Sequence, residues 1–394
     1  MFHQLVSHND DLRRLMEKGF AFSIDGGYLV VRDIPYLDSQ NQLQWGAFVA
    51  KLVFVDKLTI QQDNHQIWFA GSVPYGLNGN PIPNLGGGPT TLALGETSKD
   101  IVVQRQFSNK PQPAGVFIDF FHKIDSYLTI ISGPAMELHG ANPYTFRTME
   151  KMPDSVFKFH DTLTSRAEIT DLAAQFANDI VAVIGLGGTG GYVLDFLVKT
   201  PVREIRAFDF DFFHVHNAFR SPGKLEESEF GKTKADVYRG RYENFRSGLK
   251  SEPKLIDASS AAELDGVTFA FVCVDKGSAR SKIFDLLILK GIQFIDVGMG
   301  LNRKRGPIDG MMRVTYYSRE TAQRVRDMGL AEMSDQADDI YRTNIQISEI
   351  NALNACLAVI RFKQLRGFYC EDEACYQLLL SIGDLQTAGE SELA

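Results

Sequence analysis

In the N-terminal part of the chain, short apolar runs alternate with turn-forming residues. YLVV, WGAFVAKLVFV, HQIWFAG and GVFIDFF are separated by Gly- and Pro-rich stretches such as PYGLNGNPIPNLGGGP. Apolar runs of strand length, punctuated in this way, predict an α+β or mainly β domain over residues 21–135. The segment DFFHKIDSYLTII, with apolar residues recurring at three and four, predicts a helix that closes it. His65, in DNHQIWF, reads as structural, because no cysteine or second histidine lies near it in the sequence.

The rhythm changes after a polar, helix-compatible stretch, FHDTLTSRAEITDLAAQFAN. From Asp179 onward, apolar runs (DIVAVIG, EIRAFDF, TFAFVCVD, QFIDVGMG) alternate with amphipathic ones (GGYVLDFLVKT, KTKADVYRGRYENF, SARSKIFDLLILK). Strands apolar along their whole length are buried on both faces, and helices between them cover those faces. This half therefore predicts an α/β fold, a Rossmann-like, doubly wound and mostly parallel sheet. The boundary falls near residue 150, giving an accessory domain over 1–150 and a nucleotide-binding domain over 151–394. The last residues, TAGESELA included, read as a loose tail.

Composition narrows the function classes. A chain of 394 residues, 44% hydrophobic, can bury a core in each of two domains. A formal net charge of -8 argues against non-specific nucleic-acid binding, which needs a clustered basic surface. The dense basic group, Arg303, Lys304 and Arg305, reads as a solvated loop. The opening MFHQLVSHNDDLRRL mixes apolar and charged residues too finely for a secretory h-region, and no apolar run approaches the ~20 residues that span a bilayer. The expectation is a cytoplasmic protein that binds no membrane. Cys273, Cys356, Cys370 and Cys375 are too few and too scattered for a disulfide framework, which fits a reducing compartment.

The chemistry-bearing feature is DIVAVIG running into GLGGTGG, with a helix expected from near Tyr192. Gly185, Gly187 and Gly190 fit G-x-G-x-x-G, which brings backbone N–H groups and a helix N-terminus against a phosphate. An NAD-dependent oxidoreductase would satisfy that motif too, with Asp209 on the ribose. The following residues separate the two readings. DFDFFHVHNAFR places Asn217 and Arg220 after Asp209, and FGKTKAD adds Lys234. Donors and cations gathered there suit triphosphate chemistry, in which an anionic carboxylate attacks a polyanion. Asp275, after the strand TFAFVCV and before KGSARSK with Arg280, is placed to hold Mg²⁺ or, alternatively, to cap the next helix.

GLGGTGG, DFDFFHVHNAFR, GKTK and VDKGSAR together resemble the ThiF/MoeB adenylyltransferases and the adenylation domains of ubiquitin-activating enzymes, over residues 160–365. The resemblance implies a nucleotide site of Gly185, Gly187, Gly188, Gly190, Asp209 and Asp211, with Asp209 on the ribose. It implies Asn217, Arg220 and Lys234 as phosphate and transition-state contacts, Asp275 as the Mg²⁺ acid, and Arg166 as an arginine lent to the ATP of the neighbouring subunit in a homodimer. The implied reaction is ATP-dependent adenylation of the C-terminal carboxylate of a ubiquitin-like or sulfur-carrier protein, with a downstream conjugating protein as a further partner. The alternatives are a peptide or modified-nucleoside carboxylate as substrate, or a nucleotide-binding scaffold without catalysis.

Two departures from the family change the expectation. Its paired C-x-x-C motifs are missing, so no zinc is expected. The segment from Leu301 to Asn344, where family members carry an acceptor cysteine, holds hydroxyls (Thr315, Ser318, Thr321, Ser334, Thr343) and no thiol. Either the adenylate passes directly to another protein or a hydroxyl takes it as an oxyester, with Ser318 and Ser334 as candidates that also read as helix caps. Cys273, taken as mid-strand, and Cys356, in a helix, read as core.

Overall fold

The computed structural model describes the chain except for residues 1, 112, 114, 148, 150–154, 160, 162, 165, 166, 168, 304, 305, 336–344 and 392–394. The predicted boundary near residue 150, and with it Arg166, Lys304, Arg305 and Thr343, lies outside the described residues. The chain divides into two compact units, Met1–Pro153 with His160–Glu168 and Asp154–Phe159 with Ile169–Ala394.

The N-terminal unit opens with two helices absent from the expectation, α1 (Phe2–His8) and α2 (Asp10–Lys18). The fine mixture of apolar and charged residues that argues against a signal peptide is the amphipathic pattern of α2, which buries Leu12 and Leu15. An antiparallel sheet follows, built from β1 (Phe22–Asp25), β2 (Tyr28–Leu37), β3 (Leu43–Phe54), β4 (Ile60–Gln62), β5 (Ile67–Ala70), β6 (Gly88–Pro89) and β7 (Arg105–Phe107). Its path is β1-β2-β3-β5-β7-β6, with β4 pairing β3. The predicted helix is α3 (Phe120–His139), started by Asp119, whose carboxylate accepts from the His122 N–H at 2.7 Å. Phe120, Ile124, Tyr127, Leu128 and Ile131 fall on one face of α3, in one core with Leu29, Val31, Phe48 and Ala50 of the sheet.

In the C-terminal unit a short helix, α4 (Thr170–Ala174), is followed by β8 (Ile180–Ile184), α5 (Gly188–Val198), β9 (Glu204–Phe208), α6 (Val215–Ala218), α7 (Lys234–Tyr242), β10 (Leu249–Glu252), β11 (Phe269–Val272), α8 (Gly277–Leu289) and β12 (Gln293–Asn302). Next come β13 (Asp309–Tyr317), α9 (Ala322–Asp327), α10 (Ser348–Gln364), β14 (Cys375–Ser381) and β15 (Thr387–Ser391). The sheet order is β10-β9-β8-β11-β12-β13-β14-β15, parallel through β12 and antiparallel beyond it. Every residue of β8 and of β11 is buried, as the all-apolar runs predict. Val193, Leu194 and Leu197 of α5 share a core with Ala355, Ala358 and Phe362 of α10, while Ile283, Phe284 and Leu287 of α8 share a separate core with Ala182, Ala270 and Val272. The chain runs from β8 to one side and from β11 to the other, so a topological switch point opens between them, where open α/β sheets bind ligands.

Three expectations are corrected. The glycine-loop helix starts at Gly188, four residues before Tyr192, because the glycines themselves form its first turn. The expected loose tail contains β15, which closes the sheet edge against β14. Of the helix-compatible stretch before Asp179, the described helix of the C-terminal unit covers Thr170–Ala174.

Lys123 of α3 is fully buried, and its Nζ donates to the Asn64 carbonyl at 2.8 Å. Burial pushes its pKa down from 10.5 to about 8. Between those values the unfolded chain holds more protons, so stability falls as pH drops from about 10.5 through about 8. Trp45 and Trp68, the two tryptophans of the chain, both lie in this unit and report on it. In urea titrations followed by tryptophan fluorescence, Lys123→Met is expected to remove a pH-dependent loss on the order of 3 kcal/mol. The same pH dependence in both proteins would refute the assignment.

Candidate active site

Gly185 follows β8 with φ +94 and donates its N–H to the Phe208 carbonyl at 2.8 Å. A side chain there would meet the Cys273 carbonyl at 2.8 Å, and one at Gly190 would overlap the Gly185 carbonyl. These two positions need glycine because backbone lies against backbone. Gly188 carries the Asn351 side-chain amide of α10 against its Cα, and Gly187 faces open space. The Thr189 hydroxyl donates to Asn351 Oδ1 at 2.9 Å, while the buried Asn351 Nδ2 has no partner among the described residues. Gly187 is the N-cap of α5 and offers no side-chain cap, so the first N–H groups of the helix remain available to an anion.

Asp209 follows β9. Its Oδ2 accepts from the Leu186 N–H of the glycine loop at 2.7 Å, and its Oδ1 accepts from the Asp211 N–H at 2.8 Å. Lys234, the first residue of α7 and also buried, reaches Asp211 at 2.7 Å and Asp209 at 3.4 Å. Burial raises the Asp209 pKa, opposed by Lys234 and the two N–H donors. The structure thus joins Asp209, Asp211 and Lys234 directly to the glycine loop.

Asn217, on α6, is buried, and its Oδ1 accepts from the His214 N–H at 2.8 Å, fixing the turn that delivers Arg220. The Arg220 Nε is buried without a hydrogen-bond partner among the described residues. Burial lowers the Arg220 pKa, and Asp275 opposes it. Asp275 also acts electrostatically on Arg280. It does not occupy the N-cap of α8: that position is Lys276, and the Ser278 N–H of the first turn donates to Asp335 at 3.0 Å. Arg280 donates to Asp296 at 3.0 Å, to the Glu332 carbonyl at 3.0 Å and to the Val274 carbonyl, and Arg313 holds the second oxygen of Asp296. Asp296 and Arg313 were missed from the sequence. The signal was present: Asp296 is the one charged residue in the apolar run QFIDVGMG, and a charge buried in a covered strand needs partners.

Cys273 lies just past the end of β11, where its N–H donates to the Ile184 carbonyl, instead of mid-strand. Burial pushes its thiol up, and the Cys356 and Cys375 thiols likewise. Ser318 accepts from the Glu320 and Thr321 N–H groups at 3.2 and 3.1 Å ahead of α9, and Thr315 is buried with Arg313 donating to it. The Ser334 carbonyl packs on Gly277. Among the described residues no group of three or more His, Cys, Asp or Glu is placed to hold a metal ion, and no helix is long and apolar enough to cross a membrane.

The glycine loop, the acidic strand end and the switch point fall within residues 166–302, which match the ThiF family model. These residues form a ThiF domain. Members of that family are ATP-dependent adenylyltransferases, so this is an adenylating fold. Residues 10–162 match DUF6791, a domain of unknown function. No curated protein matches the chain. Among solved structures, PaaA is 16% identical with a TM-score of 0.41, the match covering 56% of this chain and 75% of that one. E. coli MccB bound to MccA-N7isoASN is 15% identical with a TM-score of 0.42, covering 56% and 66%. E. coli tRNA N6-threonylcarbamoyladenosine dehydratase, TcdA, in complex with AMP is 15% identical with a TM-score of 0.40, covering 52% and 92%. The chain thus spans about two thirds of the length of that MccB.

Gly190→Ala would force the ThiF-domain loop off the Gly185 carbonyl. It is expected to destabilise the C-terminal unit by about 1–3 kcal/mol in calorimetry, the usual cost of overpacking. An unchanged transition would mean that the loop is not held as described.

Proposed function

We propose that the ThiF domain adenylates the C-terminal carboxylate of a ubiquitin-like or sulfur-carrier protein with ATP. A carboxylate oxygen attacks the α-phosphorus, the bond from that phosphorus to the oxygen bridging α and β breaks, and pyrophosphate leaves. The nucleophile is already ionised at neutral pH, so the task of the protein is positioning and charge stabilisation. The observation that carries this reading is the half-buried Arg220 guanidinium, whose Nε has no partner among the described residues and which feels the charge of Asp275, in a domain whose glycine loop brings Lys234 and an uncapped helix N-terminus to the same strand ends.

In this proposal Gly185, Gly187, Gly188 and Gly190 give the phosphates their backbone approach, and Asp209 and Asp211 take the ribose side. Arg220 and Lys234 meet charge that grows on the phosphates, with Asn217 holding the turn that delivers Arg220. Asp275 is the residue that would hold Mg²⁺, whose chemistry there is to neutralise phosphate charge; one carboxylate suits an ion that takes its other ligands from phosphates and water. Arg166 serves the site of the neighbouring subunit in a homodimer, and residues 1–150 act as an accessory domain.

ATP with Mg²⁺ at one hundred times its dissociation constant is expected to add ~2.7 kcal/mol to stability, and NAD⁺ to add less. A larger effect of NAD⁺ would overturn the reading. Arg220→Ala and Asp275→Ala are expected to keep the fold and to lower pyrophosphate exchange by roughly a hundredfold or more, the usual cost of losing one such transition-state contact. Exchange near the parent level in a folded variant would show that residue to be misassigned.

A further inference from the structure

The N-terminal unit contains a hydroxyl and an imidazole that the adenylation chemistry leaves unused. Ser108 Oγ and His65 Nε2 lie 2.9 Å apart, both partly exposed. Sequence distance hides the pair, since His65 precedes β5 and Ser108 follows β7. The pairing of those two strands brings their ends together, with Ile67 opposite Phe107.

The surrounding contacts fix this pair from both sides. The Tyr127 hydroxyl donates to the His65 carbonyl at 3.0 Å and accepts from the Asn109 N–H at 2.9 Å, so one buried side chain of α3 ties the two backbones together. Lys123, one turn earlier on α3, holds the neighbouring Asn64 carbonyl. Burial lowers the His65 pKa, and Lys110 and Lys123 lower it further, which keeps the imidazole neutral and able to accept a proton. The third wall is the run Asn84–Gly88. The Ser108 N–H donates to the Leu85 carbonyl at 2.8 Å, and Asn109 Nδ2 donates to the Asn84 carbonyl at 3.2 Å. A side chain at Gly86, where φ is +64, would press on the Ser108 carbonyl and Cβ at 3.1–3.4 Å, so this run packs closely beside the serine.

We propose that Ser108 is an acyl-accepting nucleophile, with His65 as its general base, for activated acyl groups. Ser108 Oγ attacks the acyl carbon as its proton passes to His65 Nε2. The bond from the acyl carbon to the leaving oxygen breaks, and a Ser108 oxyester forms. Identifying the physiological donor as an acyl-adenylate, with AMP departing, rests on the adenylation reading; the nucleophile itself does not. This site also offers an acceptor hydroxyl outside the thiol-free segment Leu301–Asn344, within which the Ser318 hydroxyl is already engaged by the Glu320 and Thr321 N–H groups.

The test uses the full chain with p-nitrophenyl acetate and no ATP. The expected result is a burst of p-nitrophenolate stoichiometric with protein, with the acetyl group mapped to Ser108. Ser108→Ala should abolish the burst, and His65→Gln should slow it on the order of a hundredfold, in the range of general-base catalysis, with tryptophan fluorescence confirming that both remain folded. Ser108→Cys covers the case of a misfolded alanine variant: its thiol should react with iodoacetamide faster when His65 is present. No burst, or one that survives Ser108→Ala, overturns the proposal, as does a Ser108→Cys thiol indifferent to His65. Because ATP is absent, a burst from a chain that fails to exchange pyrophosphate would keep this site and remove the adenylation reading, and the converse result would do the opposite.

Discussion

The C-terminal unit depends on the close approach of two backbones at the switch point. Gly185 lies against the Cys273 carbonyl, and Gly190 lies against the Gly185 carbonyl. Neither contact tolerates a Cβ, and together they place the first turn of α5 at the ends of β8 and β11. The Leu186 N–H of the same loop donates to Asp209. Glycine loop, strand end and acidic residue are therefore one rigid assembly, and the uncapped helix start is aimed by backbone geometry, not by a mobile side chain.

Charge is then distributed around that assembly in two linked groups. Lys234 is shared by Asp209 and Asp211 beside the loop. On the other side Asp275 lies near Arg220 and Arg280, and Asp296 is shared by Arg280 and Arg313. Burying ions is expensive even when they are paired, so such a series is weak evidence of stability and better understood as a device for position. Arg280 spends its donors on Asp296 and two carbonyls, and it anchors the series. Arg220 keeps its buried Nε without a hydrogen-bond partner among the described residues, and in the proposed reaction it is the member that meets the phosphates.

Much of this was legible in the sequence where periodicity and close packing coincide. The all-apolar strands, the glycine loop and the order Asp209, Asn217, Arg220, Lys234, Asp275 are local signals, and the structure gathers them at one end of one sheet. Asp296 was legible in principle, as a charge in an apolar run, yet its partners come from α8 and β13, which no local pattern joins to it. The antiparallel strands β13 and β14 were missed because their mixed polarity lacks the continuous apolar run of a strand buried on both faces, and Thr387–Ser391 resembles a tail because every one of its residues is exposed. His65 was set aside because the partner of its imidazole, Ser108, is brought to it by strand pairing across a long Gly- and Pro-rich excursion.

Exchange of labelled pyrophosphate into ATP reports whether the proposed site activates a carboxylate with ATP. The purified chain is incubated with ATP, Mg²⁺ and a ubiquitin-like or sulfur-carrier protein, and in parallel with the same protein blocked as its C-terminal amide. Exchange is expected with the free carboxylate and none with the amide. Nucleotide binding with no exchange from a free protein C-terminus, or equal exchange with the blocked protein, would contradict it.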